Sequence, residues 1–134
     1  MRGRKKKSLE YSQKQRSRKQ LQRLMEELGE AVVLVEGKKD AEAMHRYVRG
    51  VMEVSGRTRS ACRRVADSGE KEVVVLTDLD QRGNELAKEL EAELRSNGVK
   101  ANLAARKKVG KILCLHQMEN FERKYREKLE ETKL

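Results

Sequence analysis

Two short stretches of this chain place acids where chemistry on a phosphate needs them. "VVLVEGKKD" and, further along, "VVVLTDLDQRG" are each an apolar, β-branched run that stops abruptly in acid and then glycine, giving Glu36-Gly37 and Asp78-Leu79-Asp80 with Gly83. Carboxylates brought together repel and raise one another's pKa. A divalent cation removes that penalty. Magnesium suits the set best, because it takes oxygen ligands, keeps several waters and bridges one or two carboxylates to substrate phosphates. Past a strand end, the Asp-x-Asp spacing lets both side chains face one ion while Leu79 points inward. Gly37 and Gly83 let main chain approach a ligand, and a helix starting at Gly83 offers free N–H groups to a phosphate. Arg82 reads equally as a phosphate contact and as a solvated charge at a helix start, whereas Lys38, Lys39 and Asp40 read as solvated. Most acids after strands are ordinary caps, and a lone Asp-x-Asp says little. The repetition of strand, acid and glycine is what raises the functional reading.

The elements that must position these acids follow from hydrophobic periodicity. Ala31–Val35 is a short apolar run suited to a strand buried on both faces, and Glu72–Thr77 repeats the pattern. Between them the sequence predicts a helix over Asp40–Arg49, with Ala41, Met44 and Val48 inward, a weaker strand at Val51–Val54 and a basic helix over Thr58–Ala66. After them come a helix from Gly83 to Asn97, striped by Leu86, Ala87, Leu90 and Leu94, and a strand over Val99–Leu103. A basic segment, Arg106–Lys111, leads to an amphipathic helix from about His116, with Met118, Phe121, Tyr125 and Leu129 on its apolar side. Strands alternating with helices imply an α/β, Rossmann-like, doubly wound sheet of about four mainly parallel strands with helices on both faces. Right-handed crossovers allow strands one and three to lie side by side with strand two outside strand one, which gathers Glu36, Asp78 and Asp80 at the carboxyl edge where open sheets bind ligands.

The charge is unevenly distributed. Of the formal net +10, residues 1–23 carry ten basic side chains (Arg2, Arg4, Lys5, Lys6, Lys7, Lys14, Arg16, Arg18, Lys19 and Arg23) against Glu10 alone, and the remainder is nearly neutral. Residues 1–16 are almost devoid of apolar side chains and read as a disordered or conditionally helical arm. From about Arg18, Leu21, Leu24, Met25 and Leu28 describe an amphipathic helix that Gly29 closes. The expected organisation is therefore a basic arm and helix start over 1–23 and one domain over 24–134, with its core at about 31–103 and a helical extension at 104–134. The arm has three readings: a nucleic-acid contact, a solvated tail, or a dock for a protein. With one Phe, three Tyr and no Trp, base stacking is not the main mode, so contact would run through backbone charge.

Other classes are excluded. No apolar run reaches the roughly 20 residues of a membrane span and no secretory signal is legible, so a cytoplasmic location is expected. Cys62 and Cys114 have no partner at metal-ligand spacing and read as small buried hydrophobes. His45 and His116 read as surface or packing residues. The apolar side of the last helix offers a contact for a homodimer or a larger complex.

At the two acidic segments the sequence resembles the Toprim family, the catalytic domain shared by topoisomerases, bacterial-type primases, OLD-family nucleases and the ribonucleases that mature 5S ribosomal RNA. The family's motifs are a strand followed by Glu-Gly, here Glu36-Gly37, and Asp-x-Asp with a glycine after it, here Asp78-Leu79-Asp80 and Gly83. "VEGKKDAEA", "LTDLDQRGNELAKEL" and "GVKANLAARKKVGK" are similar to the small stand-alone archaeal Toprim proteins. The resemblance implies the Toprim fold, one or two Mg2+ ions (Mn2+ substituting) on Asp78 and Asp80, Glu36 as general acid or base and further ligand, and RNA or DNA as partner. Topoisomerase activity is not implied, because those families supply the tyrosine nucleophile from another domain. Two functions follow: a magnesium-dependent nuclease, of the kind that trims structured RNA, and a non-catalytic nucleic-acid-binding or assembly module that keeps the metal site.

Overall fold

Alternation along the first apolar run sets up the two layers of the molecule, seen in a computed structural model that describes residues 2–134, with side chains from residue 7 onward. The side chains of Arg2, Arg4, Lys5 and Lys6 lie outside the described residues. Val33 and Val35 of β1 (Val32–Val35) enter one core; Val32 and Leu34 enter the other. A strand buried on both faces must read as a continuous apolar run, and this one does.

Around it stand α1 (Arg2–Gly29), α2 (Lys38–Met44), β2 (Gly50–Glu53), α3 (Thr58–Asp67), β3 (Glu72–Val75), α4 (Gln81–Ser96), β4 (Lys100–Asn102), α5 (Ala104–Leu113) and α6 (Phe121–Glu131). The four strands pair in parallel in the order β2-β1-β3-β4. Val33 lies opposite Val74 and Leu34 opposite Val75, so β1 and β3 are neighbours, as the right-handed crossover argument requires. Helices α1, α2, α5 and α6 cover one face; α3 and α4 cover the other.

Four elements differ from the sequence expectation. The helix expected from about Arg18 begins earlier: α1 is one helix of 28 residues that takes in the basic arm, since no proline and no glycine interrupts it between Gly3 and Gly29. Its second half buries Leu21, Leu24 and Leu28 against the body, whereas residues 7–16 leave every side chain exposed or half-exposed. The basic segment is a helix too. Ala105, Val109 and Leu113 of α5 recur every four residues and bury completely or nearly so, which carries the lysines between them outward. Helix α2 ends at Met44, earlier than expected, while Val48 still packs on the core from the turn that follows. The final helix starts at Phe121, after a 3₁₀ turn over Met118–Asn120.

Cys62 is buried as expected, but Cys114 is exposed: it ends α5 in the left-handed region, at φ 53, which turns the side chain away from the core. Part of the apolar side of α6 packs within the chain, while Leu129 stays exposed. Phe121 is fully buried, with Tyr47 tilted against it at a centroid distance of 5.7 Å and against Tyr125 at 5.2 Å. Replacing Phe121 with Ala removes the largest fully buried side chain of this layer and leaves a cavity. The expected loss is about 3–5 kcal/mol, read as a lower urea midpoint at unchanged slope.

Candidate functional site

The neighbouring of β1 and β3 decides where the acids go. Glu36 directly follows β1, Asp78 follows β3 by three residues, and the Asp78 N–H donates to Glu36 Oε1 at 3.2 Å. The Asp78 carboxylate turns the other way, its Oδ1 accepting from the Met118 N–H at 2.8 Å, while the Leu79 N–H donates to the His116 carbonyl at 2.7 Å. The segment between α5 and α6 is thereby laced to the acidic loop by two main-chain donors. Asp80 is the N-cap of α4, its Oδ1 accepting from the Gly83 N–H at 2.7 Å.

The glycines serve the protein's own main chain. A Cβ at Gly83 would overlap the Asp78 carbonyl oxygen, and the buried Thr77 hydroxyl donates to the Gly83 carbonyl at 2.7 Å, so α4 begins in direct contact with the end of β3. The N–H expected to be free at Gly83 is taken by Asp80, because α4 starts at Gln81 and Asp80 caps it. Likewise the Gly37 N–H donates to Asp40 Oδ2 at 3.1 Å, a capping contact at the start of α2. Leu79, between the two acids, packs on the core beside Gly110 of α5, where any side chain would strike it.

Two residues that sequence reasoning set aside or passed over join the site. Asp40, expected to be solvated, is buried, and burial pushes its carboxyl from an ordinary 3.8 up to about 6; the Gly37 N–H opposes this and the charges of Asp78, Glu36 and Glu119 add to it. Arg106, passed over within a basic run, is 7% exposed. Its Nε donates to the Thr77 carbonyl at 2.9 Å, and its Nη2 donates to the Asp78 carbonyl at 2.5 Å and to Asn84 Oδ1 at 2.6 Å. Burial lowers its pKa, opposed by the charges of Asp80, Glu36 and Asp78. A signal did exist: at helical spacing, Arg106 falls beside the inward Ala105 and Val109.

The acids sense one another. Burial raises the Glu36 carboxyl above its usual range, the Asp78 N–H opposes the shift, Asp78 and Asp80 add to it, and Arg82 lowers it. Arg82 itself is exposed. It shares with Glu36, Thr58, Glu85 and Glu89 a groove of about 410 Å³. A second groove of about 430 Å³ lies on the other flank, lined by Asp80, Cys114, His116 and Lys124.

As a donor set for magnesium the trio fits in chemistry, being three hard carboxylates with mutual repulsion to relieve. One oxygen of each is occupied by a main-chain N–H, leaving the other for a ligand. Among the described residues no three His, Cys, Asp or Glu side chains close on a single point. Magnesium does not demand that they should, since it is held by one or two carboxylates and completes its shell with water and phosphate.

Comparison with known proteins agrees with the strand-end geometry. A Toprim domain model matches residues 31–113. The chain belongs to the Toprim family. It is 34% identical over 94 residues to a UPF0292 protein of Methanocaldococcus jannaschii, covering 66% of this chain and 72% of the relative. It is 32% identical over 119 residues to a UPF0292 protein of Methanosarcina barkeri, covering 81% and 82%. A solved structure from Aquifex aeolicus superposes with a TM-score of 0.63 at 27% identity, over 74% of this chain and 95% of that one. These relatives make the chain a small Toprim protein of archaeal type. The family points to metal-dependent work on nucleic acid, and Toprim domains generally bind Mg2+. Among the described residues no helix is long and apolar enough to cross a membrane.

Two outcomes follow from this geometry. Arg106→Met leaves the Thr77 and Asp78 carbonyls without their buried donor and should cost about 1–3 kcal/mol in urea unfolding. The second concerns pH. Because Asp40 holds its proton more tightly folded than unfolded, stability from this group is fully present below about pH 4 and is lost as pH rises through about 6. Thermal midpoints measured from pH 4 to pH 8 should fall across that window, and Asp40→Asn should flatten the fall.

Proposed function

We propose that this Toprim protein is a cytoplasmic, magnesium-dependent nuclease that cuts the phosphodiester backbone of structured RNA. The observation that carries the reading is the hydrogen bond from the Asp78 N–H to Glu36, which joins the two acidic motifs across neighbouring strands into one charge-coupled group. Asp78 and Asp80 would hold the ion through their free Oδ2 atoms. Magnesium, when bound, supplies positive charge to the scissile phosphate and acidifies a coordinated water. Glu36, whose carboxyl burial pushes upward, then takes or gives the proton at Oε2 for the attacking or leaving oxygen. Arg82, exposed in the groove beside Glu36, holds a non-bridging phosphate oxygen. Gly37 and Gly83 shape the site through their own main-chain contacts, since both N–H groups are already donated.

One observation favours the non-catalytic reading: the groove beside Glu36 also carries Glu85 and Glu89, with Arg82 as the one cation among its described lining residues, and this repels a phosphate approaching from that flank. The two readings separate in one experiment. Purified protein is incubated with labelled hairpin RNA, single-stranded RNA and duplex DNA, in magnesium, manganese or chelator. Cleavage of the hairpin should need metal, vanish in Asp78→Asn and fall by about 10²–10⁴ in Glu36→Gln. Binding without metal-dependent cleavage would retire the nuclease in favour of the module.

A further inference from the structure

Beyond the acids, the body's near-neutral charge conceals a local concentration of cations. Helices α1, α5 and α6 enclose a groove of about 430 Å³ whose lining includes Arg23, Lys108, Lys111 and Lys128, with Glu27 as the one acid among its described lining residues. Glu27 is already engaged by Lys108 at 3.1 Å. Lys128 stands 3.7 Å from Glu131 and Lys124 stands 3.8 Å from Glu127; both acids are exposed, so these pairs exchange readily for another anion. The groove leads in two directions. Outward along α1, Arg23 continues a stripe with Lys19 and Arg16, at the spacing that puts residues on one side of a helix. Inward along α6, Lys128 is one turn from Lys124, and Lys124 lines the groove that holds Asp80 and His116.

We infer that a nucleic-acid backbone runs from α1 through the α1–α5–α6 groove, along Lys128 and Lys124, and reaches the acids from the Asp80 side. The inference rests on the nucleic-acid reading above and gives it a direction. Approach from the opposite flank meets a groove lined by three acids, Glu36, Glu85 and Glu89, and, among its described lining residues, one cation, Arg82, whereas this flank presents cations in succession from the exposed half of α1 to the acidic cluster. A ligand with an anion at every repeat satisfies such a row; a single phosphate or a small acidic metabolite does not. An acidic protein segment is the competing polyanion, but it offers nothing for the row to deliver to Glu36, Asp78 and Asp80.

The test measures binding of a fluorescein-labelled RNA hairpin by anisotropy, in chelator, across a salt series. Arg23→Gln/Lys111→Gln removes two groove cations and keeps two polar surface side chains. Affinity at 0.1 M salt should fall on the order of tenfold, and the slope of log affinity against log salt should shrink by about 1.4–1.8. Lys124→Gln should add a further loss. Lys88→Gln/Lys100→Gln, on the far side of the molecule, should bind as wild type. Wild-type affinity and slope in Arg23→Gln/Lys111→Gln would overturn the path, as would displacement of the RNA by poly-glutamate at equal charge concentration. Because this assay runs in chelator, it does not depend on cleavage: weakened binding here, together with no metal-dependent cleavage in the magnesium incubation above, would keep the path and discard the reaction.

Discussion

Most of the candidate site is fastened to one residue, Asp78. Its N–H holds Glu36, its carboxylate holds the Met118 N–H, and its carbonyl oxygen takes the Arg106 guanidinium while lying against the Cα of Gly83. Five stretches distant in sequence thus meet at one residue: the end of β1, the end of β3, the start of α4, the start of α5 and the turn before α6. The parallel register of β1 and β3 is the condition for all of them. Were β3 to slip by one residue, its side chains would exchange faces and the acids that follow it would lose their place beside Glu36.

The site holds more negative charge than it neutralises. Arg106 faces Glu36, Asp78 and Asp80 from the protein side, but its donors are spent on two carbonyls and an amide, so it makes the local potential less negative without forming an ion pair. Burial at Glu36 and Asp40 then leaves two carboxyls less willing to ionise than their type. A cluster so arranged gains more from an arriving cation than a solvated one does, because repulsion in partly buried surroundings is poorly screened.

What the sequence made legible was the part governed by hydrophobic pattern. The apolar runs before Glu36 and Asp78 announced two buried strands, and the crossover rule made them neighbours. What stayed hidden was governed by context. Helix α5 was masked by its lysines, because three buried side chains spaced four apart are a thin signal inside "AARKKVGKIL". Arg106 and Asp40 look like surface charges, since nothing local says that a residue will be covered. The first half of α1 was illegible for the opposite reason: it has no apolar stripe, and its helicity follows from the absence of interruption rather than from a face to bury.

The two donors that lace the C-terminal segment to the acidic loop, the N–H groups of Met118 and Leu79, belong to the main chain. Every amino acid but proline carries that donor. Descendants of this sequence can therefore exchange Met118, Leu79 and His116 for others of similar bulk and keep the joint whole, provided that Asp78 keeps the carboxylate that accepts the Met118 N–H. A lineage would lose it by acquiring proline at either position, or by shortening the turn before α6.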